Sequence, residues 1–362
     1  MEVCALYNYK FDNFENMFKL IERMTGPEKM PSVVFGVTDK NGTIGVRAFG
    51  AHPDGSEVKA DGIYAVYSVT KAIVGLAVLQ LWEQGKILLD DPVKRYIPEF
   101  AGYMKEKMTV WHLMTHTSGI DQSAIFRVFM EKDTSDIDIY DAFMRGGVTY
   151  EPGTHKLYNN MTYSVMAELV KRVSGMELEE YLKKNVFDPL GMDDTSFDKH
   201  LTAPERVVPV LNYMGGEIVD IPGIFDKRLP AGGLFSTAED LLKLGRALLN
   251  GGTNGNSRIL SPLTIDAMRT PQTVNVPHLF PGDNLKDFEI GLSWFIPSAK
   301  THSVIYKNVY GHMGATRCNF WMYPEKGLSF AFMTNCIGPK EENIHFDYWF
   351  QILNAFSSCI VE

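Results

Sequence analysis

The chain has 362 residues, 45% hydrophobic and 22% charged. That is an ordinary globular composition, long enough for two or three domain-sized units and unlike a disordered or fibrous chain. Its formal net charge of −9, with basic residues scattered, offers no concentrated positive surface, so no nucleic-acid partner is expected.

The N-terminus, MEVCALYNYKFDNFENMF, lacks a basic region followed by an apolar one, so no secretory signal is expected and the expected location is cytoplasmic. The longest mostly apolar stretch, Ala72 to Trp82, is far short of the roughly 20 residues that span a bilayer, so no membrane span is expected. Cys4, Cys318, Cys336 and Cys359 show no paired metal-type spacing and read as free thiols. A helix is predicted around Phe11 to Met24. The segment from Pro31 to Pro53 then reads as a hairpin, with two β-rich runs flanking a turn at Asp39-Lys40-Asn41-Gly42.

Helical patterns dominate the middle of the chain: TKAIVGLAVLQLWEQG, TYSVMAELVKRVSG, LEEYLKKNVF and TAEDLLKLGRALLNGG. Several end in glycine just past the periodic run, as helix C-termini commonly do. Thr270 to Asp287, rich in Pro, Asn and Asp, reads as a long loop. Strand patterns return in SVIYKNVYGHMG and TRCNFWMYPEKGLSFAFMTN, with a turn at Pro324-Glu325-Lys326-Gly327, before a C-terminal helix around Asn343 to Ser357. Strands at both ends with helices between predict an α/β (α+β) fold, in which one antiparallel sheet flanked by helices carries an inserted, mostly helical lobe. The predicted division is 1–64 with 288–362 for the sheet lobe and 65–287 for the helical lobe, the site lying between them. No internal repeat is present.

Chemistry concentrates first in Tyr67-Ser68-Val69-Thr70-Lys71. Ser68 immediately precedes a run that is apolar nearly all the way round, which predicts a buried helix. Positions i and i+3 share a helix face, bringing the Ser68 hydroxyl and the Lys71 amine together. Burial disfavours the ammonium, and the neutral amine can accept the serine proton. The helix N-terminus also presents backbone N–H groups to developing negative charge. The alternative is an N-cap serine beside an unrelated lysine. Two further elements bear on the choice: Gly153-Thr154-His155-Lys156-Leu157-Tyr158-Asn159-Asn160, in a loop before a helix, and Tyr310-Gly311-His312-Met313-Gly314-Ala315, at the end of a strand.

With these elements in order, the sequence resembles the serine β-lactamase and penicillin-binding superfamily, nearest to the class C β-lactamases, the family VIII carboxylesterases and the D-aminopeptidases. The resemblance runs from about Val34 to Asn335 and rests on Ser68-x-x-Lys71, Tyr158-x-Asn160 and His312-x-Gly314. The connecting stretches LMTHTSGI (Leu113 to Ile120), EPGT (Glu151 to Thr154), PLGMDDTSF (Pro189 to Phe197) and AGGLFSTAEDL (Ala231 to Leu241) match as well.

The resemblance implies that Ser68 attacks an acyl carbonyl while Lys71 and Tyr158 share proton duties. A free phenol titrates near pH ~10, so Tyr158 needs cationic neighbours to act as a base. Asn160 is expected to hydrogen-bond Lys71 or a substrate amide. The backbone N–H groups of Ser68 and Ala315, the latter following Gly314, are expected to form an oxyanion hole. His312 departs from the lysine usual in β-lactamases and penicillin-binding proteins, and a mostly neutral imidazole is a weaker anion anchor. The expected activity is therefore an esterase or amidase acting through an acyl-enzyme on a small ester or amide, with weak or no β-lactamase activity and no cofactor or metal. Acyl transfer, D-amino-acid peptidase activity and a non-catalytic binding role are the alternatives. Oligomeric state is not assigned.

Arg317 either restores a positive charge near the substrate or makes a surface salt bridge, and no role is assigned to Cys318. His112 and His116 have i, i+4 spacing, which suits a metal on a helix, but no third ligand accompanies them and the resemblance places them in a structural turn. No G-x-S-x-G nucleophile elbow, Walker loop or dinucleotide fingerprint is present. Asn160-Met161-Thr162 matches a glycosylation sequon but overlaps the site. Tyr67, Tyr213, Trp294, Phe126 and Phe129 are candidates for either pocket walls or core.

Overall fold

The computed structural model describes residues 9–26, 29–52, 54–123, 140, 143–198, 203–212, 228–280, 285–298, 308–337 and 348–360. Its centre is a seven-stranded antiparallel sheet assembled from both ends of the chain. The first hairpin supplies β1 (Ser32–Asp39) and β2 (Thr43–Gly50). Its turn is tightened by the Asp39 carboxylate, whose Oδ1 accepts the backbone N–H groups of Asn41 and Gly42. After the two-residue strands β3 (Tyr64–Ala65) and β4 (Phe235–Ser236), which pair with each other, the remaining large-sheet strands come late. They are β5 (Phe288–Ile290), β6 (Phe295–Pro297), β7 (Tyr310–Met313), β8 (Asn319–Tyr323) and β9 (Leu328–Thr334). The spatial order is β2-β1-β9-β8-β7-β6-β5, so the central contact joins residues some 300 positions apart, with Val34 opposite Met333 and Gly36 opposite Ala331.

Side-chain alternation explains why the sheet is covered on both faces. From β1, β8 and β9, Val33, Phe35, Val37, Trp321, Tyr323, Phe330 and Phe332 face one core. That core is capped by α1 (Glu15–Met24) and the C-terminal helix α5 (Tyr348–Ser358), where Phe14 and Phe356 stack at 5.3 Å. Val34, Phe320, Met322, Ala331 and Met333 face the opposite core. There they meet α4 (Ala238–Leu249) and, beyond it, α2 (Val69–Glu83) and α3 (Met161–Ser174). The predicted α/β architecture, an antiparallel sheet flanked by helices with helical structure inserted between its halves, is the one observed.

The helix α2 is buried from Val69 to Leu81, as its all-round apolar sequence requires. Trp294, a candidate pocket wall, is fully buried and packs edge-on against Tyr310, so it belongs to the core. Phe126, Phe129, Tyr213 and Cys4 lie outside the described residues. Cys318, Cys336 and Cys359 are buried free thiols. Among the described residues, no helix is long and apolar enough to cross a membrane.

Candidate active site

The candidate nucleophile sits where β3 turns into α2. Tyr67 adopts a left-handed φ of 44° at this turn, an unusual conformation for an aromatic residue and one that must be held by its surroundings. The Tyr67 carbonyl accepts the Thr70 N–H at 2.8 Å. Leu234 donates to the Thr70 hydroxyl at 3.1 Å and Val66 donates to the Leu234 carbonyl at 3.0 Å, locking the AGGLFS stretch onto the turn. Ser68 occupies the N-cap position of α2, yet its side chain makes no capping bond. The hydroxyl is directed at Lys71, with Nζ 3.0 Å from Oγ.

Lys71 is fully buried. Its Nζ donates to the Ala231 carbonyl at 2.6 Å, and the rings of Tyr158 and Tyr163 lie 4.8 and 5.5 Å away. Burial with no carboxylate to compensate holds its pKa well below the ordinary lysine value. Nζ is placed as donor to both the Ser68 hydroxyl and the Ala231 carbonyl. Ala231 belongs to a stretch that the sequence marked only by resemblance. Its part here is played by a backbone carbonyl, which leaves no signature in residue identity.

Tyr158 approaches Ser68 from the loop before α3, its hydroxyl hydrogen-bonded to the Ser68 hydroxyl. Burial raises the phenol pKa above its ordinary value, the largest effect, while the Ser68 hydrogen bond opposes it. Burial thus favours the neutral phenol at Tyr158 and disfavours the ammonium at Lys71. Asn160 is the N-cap residue of α3 and is partly exposed. The bond expected from Asn160 to Lys71 is replaced by the Ala231 carbonyl. The adjacent Asn159 is buried and structural, donating to the Ile120 carbonyl at 2.6 Å and accepting the Thr162 N–H at 3.2 Å.

The turn after β7 closes the other side. A Cβ on Gly314 would lie 2.3 Å from the Val66 carbonyl oxygen, so only glycine lets this strand end lie against the nucleophile turn. The contact is secured by the Thr316 hydroxyl donating to the Ala65 carbonyl at 3.0 Å. Ala315 is exposed. Its backbone N–H and that of Ser68 make no hydrogen bond among the described residues.

His312 departs from the sequence expectation. The ring is fully buried, stacked on Phe295 with centroids 4.1 Å apart, and its Nδ1 is bracketed by the Met313 backbone at 2.9 Å. Burial, with a lesser contribution from Lys71, pushes its pKa down to about 3. It is a neutral ring behind the cleft wall rather than an anion anchor in it. The Arg317 guanidinium lies 4.5 Å over the Tyr348 ring, a cation–π contact not foreseen in the sequence. Cys318 is buried behind the turn, its thiol donating to the Thr334 carbonyl at 3.2 Å.

Gln122 and His116 are contacts that sequence reasoning missed. Gln122 Nε2 donates to the Tyr158 carbonyl at 3.0 Å, and its Oε1 accepts the Asn160 N–H at 3.3 Å. His116 and His112 have separate tasks: His112 Nδ1 accepts the Thr109 N–H at 3.0 Å in a helix cap, and His116 Nδ1 accepts the Asn159 N–H at 3.1 Å. Among the described residues, no group of three or more metal-ligating side chains converges.

The sequence matches the Beta-lactamase family over residues 17–354. It is 29% identical over 272 residues to the putative penicillin-binding protein PbpX of Bacillus subtilis, covering 72% of this chain and 66% of that protein. It is also 29% identical over 255 residues to the esterase EstB of Burkholderia gladioli, covering 60% of this chain and 64% of EstB. Each match thus spans just under two thirds of the relative's length. Among solved structures, EstCE1, a hydrolase with promiscuous acyltransferase activity, superposes with a TM-score of 0.76 at 18% identity, covering 96% of this chain and 99% of that one. The chain belongs to the beta-lactamase family.

Proposed function

We propose that the protein is an esterase or amidase that forms an acyl-enzyme on Ser68 with a small, uncharged acyl substrate. The observation that carries this reading is the buried Lys71 amine 3.0 Å from an uncapped serine hydroxyl. In acylation, Ser68 Oγ attacks the carbonyl carbon as its proton passes to Lys71 Nζ. The Ser68 and Ala315 N–H groups stabilise the oxyanion. Tyr158, neutral and bonded to Ser68, gives its proton to the departing alcohol or amine and regains one from the Lys71 ammonium. Water then attacks the acyl-serine by the reverse proton path.

The preference for an uncharged substrate follows from the cations near the cleft. His312 is neutral and covered, and Arg317 is drawn over Tyr348. The covered His312 ring offers no charge to a substrate carboxylate. The similarity to EstB, named an esterase, supports the same direction.

The test is Ser68→Ala. The substitution is expected to abolish turnover of a p-nitrophenyl ester and to remove the covalent adduct of a phosphonate probe. An unchanged adduct mass on the variant overturns the assignment. Products formed with added alcohol or amine acceptors separate hydrolysis from acyl transfer, and benzylpenicillin is expected to be a poorer substrate than the neutral ester.

A further inference from the structure

We infer that His116 is a positioning residue for Tyr158, acting with Gln122 as a two-sided clamp on the Tyr158 peptide. The inference rests on the acyl-enzyme reading of Ser68, Lys71 and Tyr158. His116 grips the residues on both sides of Tyr158: its carbonyl accepts the Leu157 N–H at 2.9 Å and its Nδ1 accepts the Asn159 N–H at 3.1 Å. Its ring lies nearly parallel to the Tyr158 ring, at 27° with centroids 4.9 Å apart. Gln122 holds the Tyr158 carbonyl, in the same peptide group as the Asn159 N–H, and the Asn160 N–H of the following one. Four backbone groups between Leu157 and Asn160 are thereby held by two side chains and one carbonyl of the 116–122 segment.

The residue is buried and held at a left-handed φ of 57°, a region in which histidine and asparagine are over-represented among residues other than glycine. Because Nδ1 accepts an N–H, the ring proton sits on Nε2, and Nε2 is buried without a hydrogen-bond partner among the described residues. A phenylalanine would fill the same space without the orphaned Nε2 but would leave the buried Asn159 N–H unpaired. What the imidazole alone supplies is the acceptor for Asn159. The ring faces Lys71, His312, Tyr158 and Tyr163; burial, with lesser contributions from Lys71 and His312, holds its pKa well below the ordinary histidine value, so it acts through geometry rather than charge.

The experiment compares His116→Phe, which keeps a stacked ring and removes the acceptor, with His116→Asn, whose Oδ1 replaces Nδ1 as acceptor. Wild type is assayed first for phosphonate labelling at Ser68 and ester turnover, so failure of the catalytic reading is seen before any variant is compared. His116→Phe is expected to lower kcat about 10²-fold, the usual effect of misplacing a catalytic group by about 1 Å. KM is expected to stay within about twofold and the phosphonate adduct to remain on Ser68. His116→Asn is expected to recover about tenfold of the loss. A folded Phe variant with wild-type kcat, or an Asn variant no better than Phe, overturns the inference. If neither His116 variant folds, Gln122→Met removes the opposite arm and is expected to lower kcat with KM held, and unchanged kcat overturns the clamp. Should wild type not label, the ¹⁹F signal of Tyr158 in fluorotyrosine-substituted protein, assigned with Tyr158→Phe, gives the independent readout. It is expected to shift in His116→Phe and return in His116→Asn, and an unmoved signal refutes the clamp.

Discussion

The burial of His312 carries a cost that grows as the pH falls. In an unfolded chain its imidazole titrates near the ordinary value of about 6.5. In the folded protein, desolvation pushes that value down to about 3. Below pH 6.5 the unfolded state therefore binds a proton that the folded state refuses. The stability associated with the neutral ring is complete above 6.5 and is lost progressively as the pH falls toward 3. Between pH 7 and pH 5 the linkage amounts to about 2 kcal/mol, from 1.36 kcal/mol for each unit separating pH 5 from 6.5. His312→Phe isolates the effect, since phenylalanine keeps the stack on Phe295 and removes a buried Nε2 with no partner among the described residues. The assay is urea unfolding of wild type and variant at pH 7 and pH 5. Other ionisable groups, including His112, whose pKa is also pushed down to about 4, contribute to both proteins and cancel in the difference. The variant is expected to gain about 2 kcal/mol relative to wild type on acidification. A difference that stays constant within about 0.5 kcal/mol, the usual scatter for independent sites, refutes the reasoning and means that His312 is solvated in solution.

Two more outcomes follow from the same site. The pKa of Lys71 is lowered and that of Tyr158 raised. Accordingly kcat/KM for a neutral ester is expected to rise with pH through the Lys71 ionisation, below the ordinary lysine range, and then to hold level with no alkaline fall from Tyr158. Lys71→Arg, permanently charged, is expected to lower the plateau by about 10²–10⁴-fold, and retention of wild-type turnover would exclude Lys71 as the base. Gly314→Ala places a methyl group 2.3 Å from the Val66 carbonyl oxygen, so the Ala315 turn must move away from Ser68. The expected result is a fall in kcat of about 10²–10³-fold with a stability loss of about 1–3 kcal/mol. Ester kinetics and thermal unfolding check both, and an unchanged kcat removes Ala315 from the oxyanion site.

The sheet was legible because its terminal strands are β-rich runs bounded by strong turn signals, as at Asp39 to Gly42. The helix α2 was legible from its unbroken apolar run. The hairpin of β5 and β6 was harder to read, being two three-residue strands too short for periodicity to register. Within the site, the pairing of Ser68 with Lys71 is a consequence of helical spacing, and helical spacing is visible in residue order. Ala231, Gln122 and His116 act through or upon backbone groups, with which any residue type is compatible in principle, and no local pattern marks them. His312 shows a different limit. Its identity was informative as a departure from lysine, but its burial depends on Phe295, a residue of the neighbouring strand that no sequence neighbour announces.

That burial changes what the substitution from lysine means. A solvated histidine in the cleft would be a weaker copy of a lysine anchor, gaining charge and anion affinity as the pH falls through 6.5. A covered histidine whose pKa is pushed down to about 3 stays uncharged at neutral and mildly acidic pH. It forms part of an uncharged wall made with Phe295, Tyr158 and His116, whose rings lie within 4.1 to 6.1 Å of one another in successive pairs. A wall of that kind excludes water from Lys71 and keeps the amine neutral. The residue that departs from lysine thereby contributes to the condition under which Lys71 can accept the Ser68 proton. Under the proposed function, a preference for uncharged acyl groups and activation of the serine would share one physical origin, the burial of this side of the cleft.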